Sequence, residues 1–204
     1  MTRGEKVSRA NILAAIKCGP IPKFRDWRSL PGDELTRAER NMRFIERYLK
    51  VPEGKLVGKP LELMKFQEAF FYSVYDNPNG TSRAYDAMAR KNGKSAKIAC
   101  IALCHIVGPE ARQNSQIVSG ARSRKQAALV FKLAEKMVRL SPELSQIVRI
   151  IPSQKSLIGL PMNVEYEAIS AEAGTAHGLS PVLAILDEVG QVRGPTDAFV
   201  EAIE

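Results

Sequence analysis

The chain contains 204 residues, of which 45% are hydrophobic and 25% are charged, and its formal net charge is +8. This apolar fraction is typical of a globular protein and excludes a chain that is disordered throughout, and the length predicts one domain with a short appended segment. The longest uncharged apolar stretch, residues 98–104, is far shorter than the roughly 18 residues of a membrane-spanning helix, so we expect no membrane association. Three cysteines and the lack of an apolar leader after Met1 predict a reducing cytoplasm rather than secretion.

The positive charge is concentrated at the start of the chain. Residues 1–50 hold 12 Lys and Arg against 6 Asp and Glu, whereas residues 51–204 hold 18 against 16. A basic segment attracts polyanions such as nucleic acid by counterion release. A solvent-exposed helical face explains the same residues equally well, because residues 36–47 mix both signs at helical spacing. The charge therefore indicates a class of partner and nothing finer.

The first part of the chain is predicted to be a helix followed by a linker. Apolar residues at helical spacing predict a helix over residues 5–17, and three prolines within residues 19–32 are typical of a linker. We therefore expect residues 1–34 to form a basic N-terminal helix and linker, and residues 35–204 to form the main domain.

Helices and strands are predicted to alternate along the rest of the chain. Apolar residues at a helical period predict helices over residues 35–49, 62–75, 96–107 and 123–140. The first of these helices opens with the capping-box pair Thr36 and Glu39. Short apolar runs between turn signals predict strands over residues 83–89, 116–119, 148–151, 156–160, 164–169 and 182–186. The last run is apolar at every position, as in a strand buried on both faces, and the alternation predicts an α/β fold with a mainly parallel central sheet.

One tripeptide carries a chemical signal. Gly93, Lys94 and Ser95 lie between a predicted strand and an apolar helix, which is the position of the last residues of a P-loop. Glycine permits a close backbone approach to phosphate, the Lys94 ammonium would neutralise phosphate oxygens, and the Ser95 hydroxyl would bind magnesium. The full pattern also requires a glycine where this chain has Met88, so the tripeptide alone is weak evidence and slightly favours a surface lysine in a strand-to-helix turn.

Two carboxylates after the last predicted strand add to this signal. Asp187 and Glu188 follow the apolar run directly, and ligands of open α/β sheets bind where the strands end. Asp187 would hold magnesium and Glu188 would act as general base on the attacking water. The sequence therefore predicts one nucleotide phosphate site built from Lys94 and these two acids.

With these motifs the sequence resembles the ATPase part of the large terminase subunit of tailed bacteriophages, the motor that packages DNA into a procapsid. The stretches that carry the resemblance are residues 63–67, 89–95, 116–127, 177–181 and 187–190. The terminase P-loop often lacks its first glycine and has an arginine nearby, so Met88 no longer argues against the motif. The resemblance covers roughly residues 40–204 and is strongest to the lineage with an HK97-like coat fold.

The resemblance implies a P-loop NTPase fold of the additional-strand, catalytic-glutamate type, truncated after the Walker B strand. It implies catalytic roles for Glu188, Lys94 and Arg90, and magnesium binding by Ser95 and Asp187. It also implies ATP binding by Gln67, which reads adenine, and by a P-loop made of Arg90, Lys91, Asn92, Gly93, Lys94 and Ser95. The implied cofactors are ATP and Mg²⁺.

The implied activity is ATP hydrolysis that drives double-stranded DNA into a procapsid. The implied partners are double-stranded DNA, a small terminase subunit and the portal protein, with a homo-oligomeric ring as the working form in the bacterial cytoplasm. Family members continue with a coupling motif and a nuclease domain that this chain lacks, so no nuclease role is expected. A helicase-type ATPase and a non-hydrolysing fragment that binds nucleotide or DNA are the alternatives.

Two smaller features have more than one interpretation. Cys100 and Cys104 lie one helical turn apart next to His105 and could begin a zinc site, although a structural site needs four ligands and buried core cysteines are favoured. The basic residues Arg122, Arg124 and Lys125 could contact DNA, could complete the active site of a neighbouring subunit, or could be a solvated helix start.

Overall fold

The structure is a computed structural model that describes residues 24–89, 92–121, 124–170 and 180–187. The chain forms two compact units, one made of the described part of Met1–Met42 with Leu63–Asp86, and the other of Arg43–Glu62 with the described part of Ala87–Glu204. The helix predicted over residues 5–17 lies outside the described residues. No helix in the described part of the chain is both long enough and apolar enough to cross a membrane.

The first unit is organised around a buried carboxylate. Helix α1 (Arg37–Tyr48) starts with the predicted capping box, in which the Glu39 N–H donates to Thr36 Oγ1 (3.3 Å) and the Thr36 N–H donates to Glu39 Oε2 (2.9 Å). Glu39 is fully buried. Its Oε1 accepts a hydrogen bond from the Tyr72 hydroxyl (2.9 Å) and forms an ion pair with Arg25, whose Nε is 3.1 Å away. Tyr72 belongs to helix α2 (Lys65–Tyr75). The carboxylate is therefore fully satisfied although it is removed from water.

The second unit contains a five-stranded sheet. Its strands lie in the order β2-β3-β4-β1-β5, and their bounds are β1 Gln116–Ala121, β2 Val148–Ile151, β3 Ser156–Gly159, β4 Val164–Ser170 and β5 Leu183–Leu186. The helices of this unit are α3 (Lys94–Ile106), α4 (Arg124–Arg139) and α5 (Pro142–Ile147). Helix α4 packs on β4 and β1, and α3 packs on α4. The α/β class predicted from the sequence is confirmed.

The sheet is mixed, whereas the sequence predicted a mainly parallel one. β1 is parallel to both β4 and β5, but β3 is antiparallel to both β2 and β4. Four-residue turns connect β2 to β3 and β3 to β4, and connections this short can only join antiparallel strands. The parallel part is thus confined to the three strands nearest the candidate site.

Two further local predictions were wrong, and one helix was not predicted. Residues 83–89 form no strand, because the segment contains no β-branched residue and is mostly exposed, with Tyr85 82% exposed. Residues 142–147 form α5, a helix that the sequence analysis did not predict, and its first residue is a proline because proline is tolerated in the first turn of a helix. β5 is half-exposed rather than buried on both faces, because among the described strands it pairs only with β1, and the neighbouring Val182 is 44% exposed.

Candidate nucleotide-phosphate site

Helix α3 begins at the predicted P-loop. Gly93 caps the helix in the left-handed backbone conformation (φ 73°, ψ 19°), which residues other than glycine rarely adopt. Lys94 is the first helical residue, and the first helical hydrogen bond runs from the Lys97 N–H to the Gly93 carbonyl (2.9 Å). The helix start therefore presents backbone N–H groups and the positive end of a thirteen-residue helix, a combination that favours anions.

Asp187 lies directly after β5. The Asp187 N–H donates to the Gly120 carbonyl of β1 (3.0 Å), which extends the parallel pairing by one residue beyond the strand. This bond fixes the backbone from which the carboxylate projects. The acid therefore lies at the carboxyl end of two neighbouring parallel strands, which is where ligands of open α/β sheets bind.

The structure brings Lys94 and Asp187 together. Lys94 Nζ lies 3.0 Å from Asp187 Oδ1, although 92 residues separate the two in the sequence. The Lys94 side chain is 33% exposed and the Asp187 side chain only 9%. The predicted meeting of the P-loop cation and the strand-end acid is thus observed.

Two residues have the oxygen ligands that magnesium prefers. Ser95, half-buried, lies in the first turn of α3 beside Lys94 and has a hydroxyl group, and Asp187 has a carboxylate. Mg²⁺ is bound in proteins by one or two such oxygens together with waters and substrate phosphates. The chemistry of these two side chains therefore fits the ion.

Of the remaining predicted site residues, the structure describes Asn92 and Gln67. Arg90, Lys91 and Glu188 lie outside the described residues, and Asn92 is exposed. Gln67 is in the other compact unit, at the start of α2, where its Oε1 accepts the Met64 N–H (2.9 Å). Gln67 therefore has an observed role in capping the helix.

The zinc alternative for the two cysteines of α3 is not supported. Cys100 and Cys104 are both buried, and burial raises the pKa of the Cys100 thiol to about 12 and that of Cys104 well above its ordinary value. Zinc binds the thiolate, which is the form that burial disfavours. In the regions that the structure describes, no group of three or more His, Cys, Asp and Glu could hold a metal ion. The two cysteines are core residues.

Two supporting contacts were not foreseen from the sequence. Ser119 of β1 and Tyr166 of β4 share a buried hydrogen bond of 2.6 Å between their hydroxyl groups, one residue before Gly120. Gly159 of β3 lies against the end of α3, where a Cβ would be 2.2 Å from the Ile106 carbonyl oxygen. A glycine inside a strand pattern signals such close approach, so only the second contact had a sequence signal.

A helix that starts at a left-handed glycine and a lysine, with the lysine in contact with a strand-end aspartate, is the arrangement typical of P-loop proteins of the α/β class. Residues 65–203 match the family model described as "Terminase large subunit, ATPase domain". This match covers more than half of the chain, and the chain belongs to this family. The resemblance predicted from the motifs is confirmed.

One curated relative and one solved structure are similar over most of the chain. The "Terminase, large subunit" of Enterobacteria phage HK97 is 64% identical over 169 residues, which are 83% of this chain and 34% of the relative. The crystal structure of the HK97 bacteriophage large terminase matches with a TM-score of 0.78 and 62% identity, over 83% of this chain and 34% of that chain. The chain thus spans about a third of the length of these relatives. Neither match supports the helicase or non-hydrolysing alternatives.

Proposed function

We propose that this chain is the ATP-hydrolysing motor domain of a phage DNA-packaging terminase large subunit. The observation that carries the proposal is the 3.0 Å approach of Lys94 Nζ to Asp187 Oδ1 at the start of α3. A lysine that binds phosphate and an acid that binds magnesium must lie within a few ångströms of each other to act on one nucleotide. The family match over residues 65–203 supports the same function.

In this proposal the chain's own residues position the nucleotide. Lys94 and the N–H groups at the start of α3 hold the β- and γ-phosphates, with Arg90, Lys91, Asn92 and Gly93 completing the P-loop. Ser95 and Asp187 would hold Mg²⁺, which when bound neutralises charge on the phosphate oxygens. Gln67 reads the adenine ring through the amide atoms that remain available beyond its bond to Met64.

The general base in the proposal is Glu188. Its carboxylate accepts a proton from water as the water oxygen forms a bond to the γ-phosphorus and the bond to the β–γ bridging oxygen breaks. Lys94 and Arg90 stabilise the charge that develops on the phosphoryl oxygens, so catalysis consists of positioning and electrostatics.

The wider biological setting belongs to the same proposal. ATP hydrolysis would move double-stranded DNA into a procapsid, with a small terminase subunit and the portal as partners and a homo-oligomeric ring as the working form. The work would take place in the cytoplasm of the bacterial host. Residues 1–34 would form the basic N-terminal helix and linker, and residues 35–204 the ATPase domain.

The decisive experiment measures nucleotide binding and hydrolysis with and without duplex DNA, on this chain and on any longer gene product that contains it. Lys94→Ala is expected to abolish binding, and Glu188→Gln is expected to keep binding and to lower turnover by about 100-fold or more. Lys136→Ala is a matched control, because that exposed lysine pairs with Glu53 away from the site. Unchanged ATPase rates in both site variants would overturn the proposal.

A further inference from the structure

The loop of residues 53–60, in the second unit, presents two neighbouring aliphatic side chains to water. Leu56 and Val57 are each 54% exposed. Backbone hydrogen bonds hold the loop in shape, from the Val51 N–H to the Lys59 carbonyl (2.9 Å) and from the Lys59 N–H to the Leu56 carbonyl (3.0 Å). Removing apolar surface from water is favourable, so this pair of side chains can contribute to a contact.

The charge that this loop offers to a partner is positive. Lys55 and Lys59 are exposed, and in the part of the chain that the structure describes neither side chain forms an ion pair. Glu53, the acid of the same loop, already pairs with Lys136 of α4 (2.6 Å). A surface that is complementary to the loop therefore combines carboxylates with an aliphatic side chain.

One face of the sheet in the same unit has this composition. Gly159 of β3 lies against Ile106 of α3, so the residues of β3 and its neighbours that alternate with Gly159 point to the opposite face. The residues of that opposite face on β2, β3 and β4 are exposed or half-buried, and we call them the open sheet face: Arg149, Ile151, Ser156, Ile158, Glu165 and Glu167.

The open sheet face carries two carboxylates beside an aliphatic side chain. Glu165 and Glu167 are exposed and lie two residues apart on β4, which separates their Cα atoms by about 7 Å. Among the described residues neither carboxylate has an ion-pair partner. Ile158 lies directly opposite Glu165 in the pairing of β3 with β4, and Arg149 lies on the far side of Ile158.

We propose that the loop of residues 53–60 in one copy of this chain docks on the open sheet face of the next copy. The two aliphatic side chains of the loop pack on Ile158, and its two lysines pair with Glu165 and Glu167. The loop and the face are different surfaces of one chain, so the contact is heterologous and can repeat from copy to copy until a ring closes. The inference rests on the homo-oligomeric ring of the proposed function and adds the contact that builds it.

The size and chemistry of the contact set its strength. The loop has far fewer residues than the about 20–30 on each side of a stable interface, so we expect weak association. Its ion pairs lie at the surface, where salt screens them, so association should fall as the salt concentration rises. A covalent cross-link is therefore the appropriate way to record the contact.

The first arm of the test cross-links the two surfaces with a short bismaleimide reagent. Val57→Cys/Ser156→Cys, in a chain whose Cys18 is replaced by serine, is expected to give a ladder of dimers, trimers and larger species on a denaturing gel. Cys100 and Cys104 are buried and should not react. The two single-cysteine variants are the controls, and each should stay monomeric. A dimer from one single-cysteine variant would indicate that like surfaces meet, which would overturn the proposal.

The second arm reverses the charges in the same cysteine-pair chain. Lys55→Glu/Lys59→Glu and Glu165→Lys/Glu167→Lys should each lower the yield of the ladder by about tenfold, because like charges then face each other. An equimolar mixture of the two variants should restore the ladder, because each loop then meets a face of opposite charge. Lys132→Glu, which reverses an exposed lysine of α4, is the matched control and should leave the ladder unchanged.

The outcomes separate this contact from the proposed function. A cysteine-pair chain that gives no ladder, or charge variants whose mixture does not restore it, would show that the docking contact is wrong. If circular dichroism shows that a charge variant fails to fold, a salt titration of the cysteine-pair chain takes its place, and a ladder that is insensitive to salt overturns the proposal. Nucleotide binding by the charge variants is expected to equal that of the unmodified chain, so a failure of the contact leaves the phosphate site intact.

Discussion

Gly159 of β3 lies so close to Ile106, the last residue of α3, that a Cβ on the glycine would be 2.2 Å from the Ile106 carbonyl oxygen and 2.9 Å from Val107 Cγ1. The sheet and the helix that begins with Lys94 therefore meet through backbone. A side chain at position 159 would push the far end of α3 away from the sheet.

We expect Gly159→Ala to lower the free energy of unfolding by about 1–3 kcal/mol, because backbone atoms cannot move aside as a flexible side chain could. Urea unfolding followed by circular dichroism measures the change. Gly32→Ala is the control, since nothing lies within 4 Å of the position that its Cβ would occupy. Equal effects of the two substitutions would contradict the close-packing argument.

A second prediction concerns the buried hydrogen bond between the hydroxyl groups of Ser119 and Tyr166. Tyr166→Phe removes the partner of Ser119 Oγ, and both residues are almost completely buried. An unsatisfied buried hydroxyl costs about 1–3 kcal/mol, so the variant should unfold at correspondingly lower urea concentration. The double variant Ser119→Ala/Tyr166→Phe should be less destabilised than the sum of the single variants, because no hydroxyl then remains unpaired. Strict additivity would show that the bond is unimportant.

The buried carboxylate of the first unit supplies a third prediction. Glu39→Ala removes the acceptor of the Tyr72 hydroxyl and of the Thr36 N–H, and it leaves Arg25 without its carboxylate. We expect a loss of about 2–3 kcal/mol in the free energy of unfolding, read by thermal or urea unfolding. Thr36→Ala disrupts only the helix cap and should cost about 1 kcal/mol. A Glu39→Ala chain as stable as Thr36→Ala would mean that the buried contacts contribute nothing.

The two core cysteines predict a pH dependence. Burial raises the pKa of Cys100 to about 12 and raises that of Cys104 well above its ordinary value, so both thiols lose their protons at a higher pH in the folded chain than in the unfolded chain. In the unfolded chain they ionise from about pH 8.5, so the unfolded state binds fewer protons and the free energy of unfolding falls as pH rises. The slope is at most about 1.4 kcal/mol per pH unit for each thiol.

The double variant Cys100→Ala/Cys104→Ala isolates this contribution. Urea unfolding at pH 8, 9 and 10 should give a shallower fall than in the unmodified chain, whatever the absolute loss from the missing sulfur atoms. Burial also raises the pKa values of Tyr72 and Tyr166, but these two residues contribute equally to the pH dependence of unfolding in the variant and in the unmodified chain. Identical slopes would mean that the thiols ionise in the folded state.

Local patterns predicted much of this fold because local chemistry decides it. The capping box of Thr36 and Glu39, the glycine-led start of α3 and the two hairpins that join β2, β3 and β4 all depend on residues close by in the sequence. The strand expected over residues 83–89 failed because pairing in a sheet is decided by distant partners, and no periodicity reports whether such a partner exists.

By itself, the sequence determined which chemical groups the chain would offer: a cation after a glycine that can take a positive φ, and an acid after an apolar run. Only the tertiary structure decided that Lys94 and Asp187 share an ion pair of 3.0 Å, and that Gly120 and Gly159 hold the elements bearing them. The physical reason is that β1 lies between β4 and β5 and is parallel to both. The carboxyl ends of these three strands therefore meet at one edge of the sheet, although the strands are far apart along the chain.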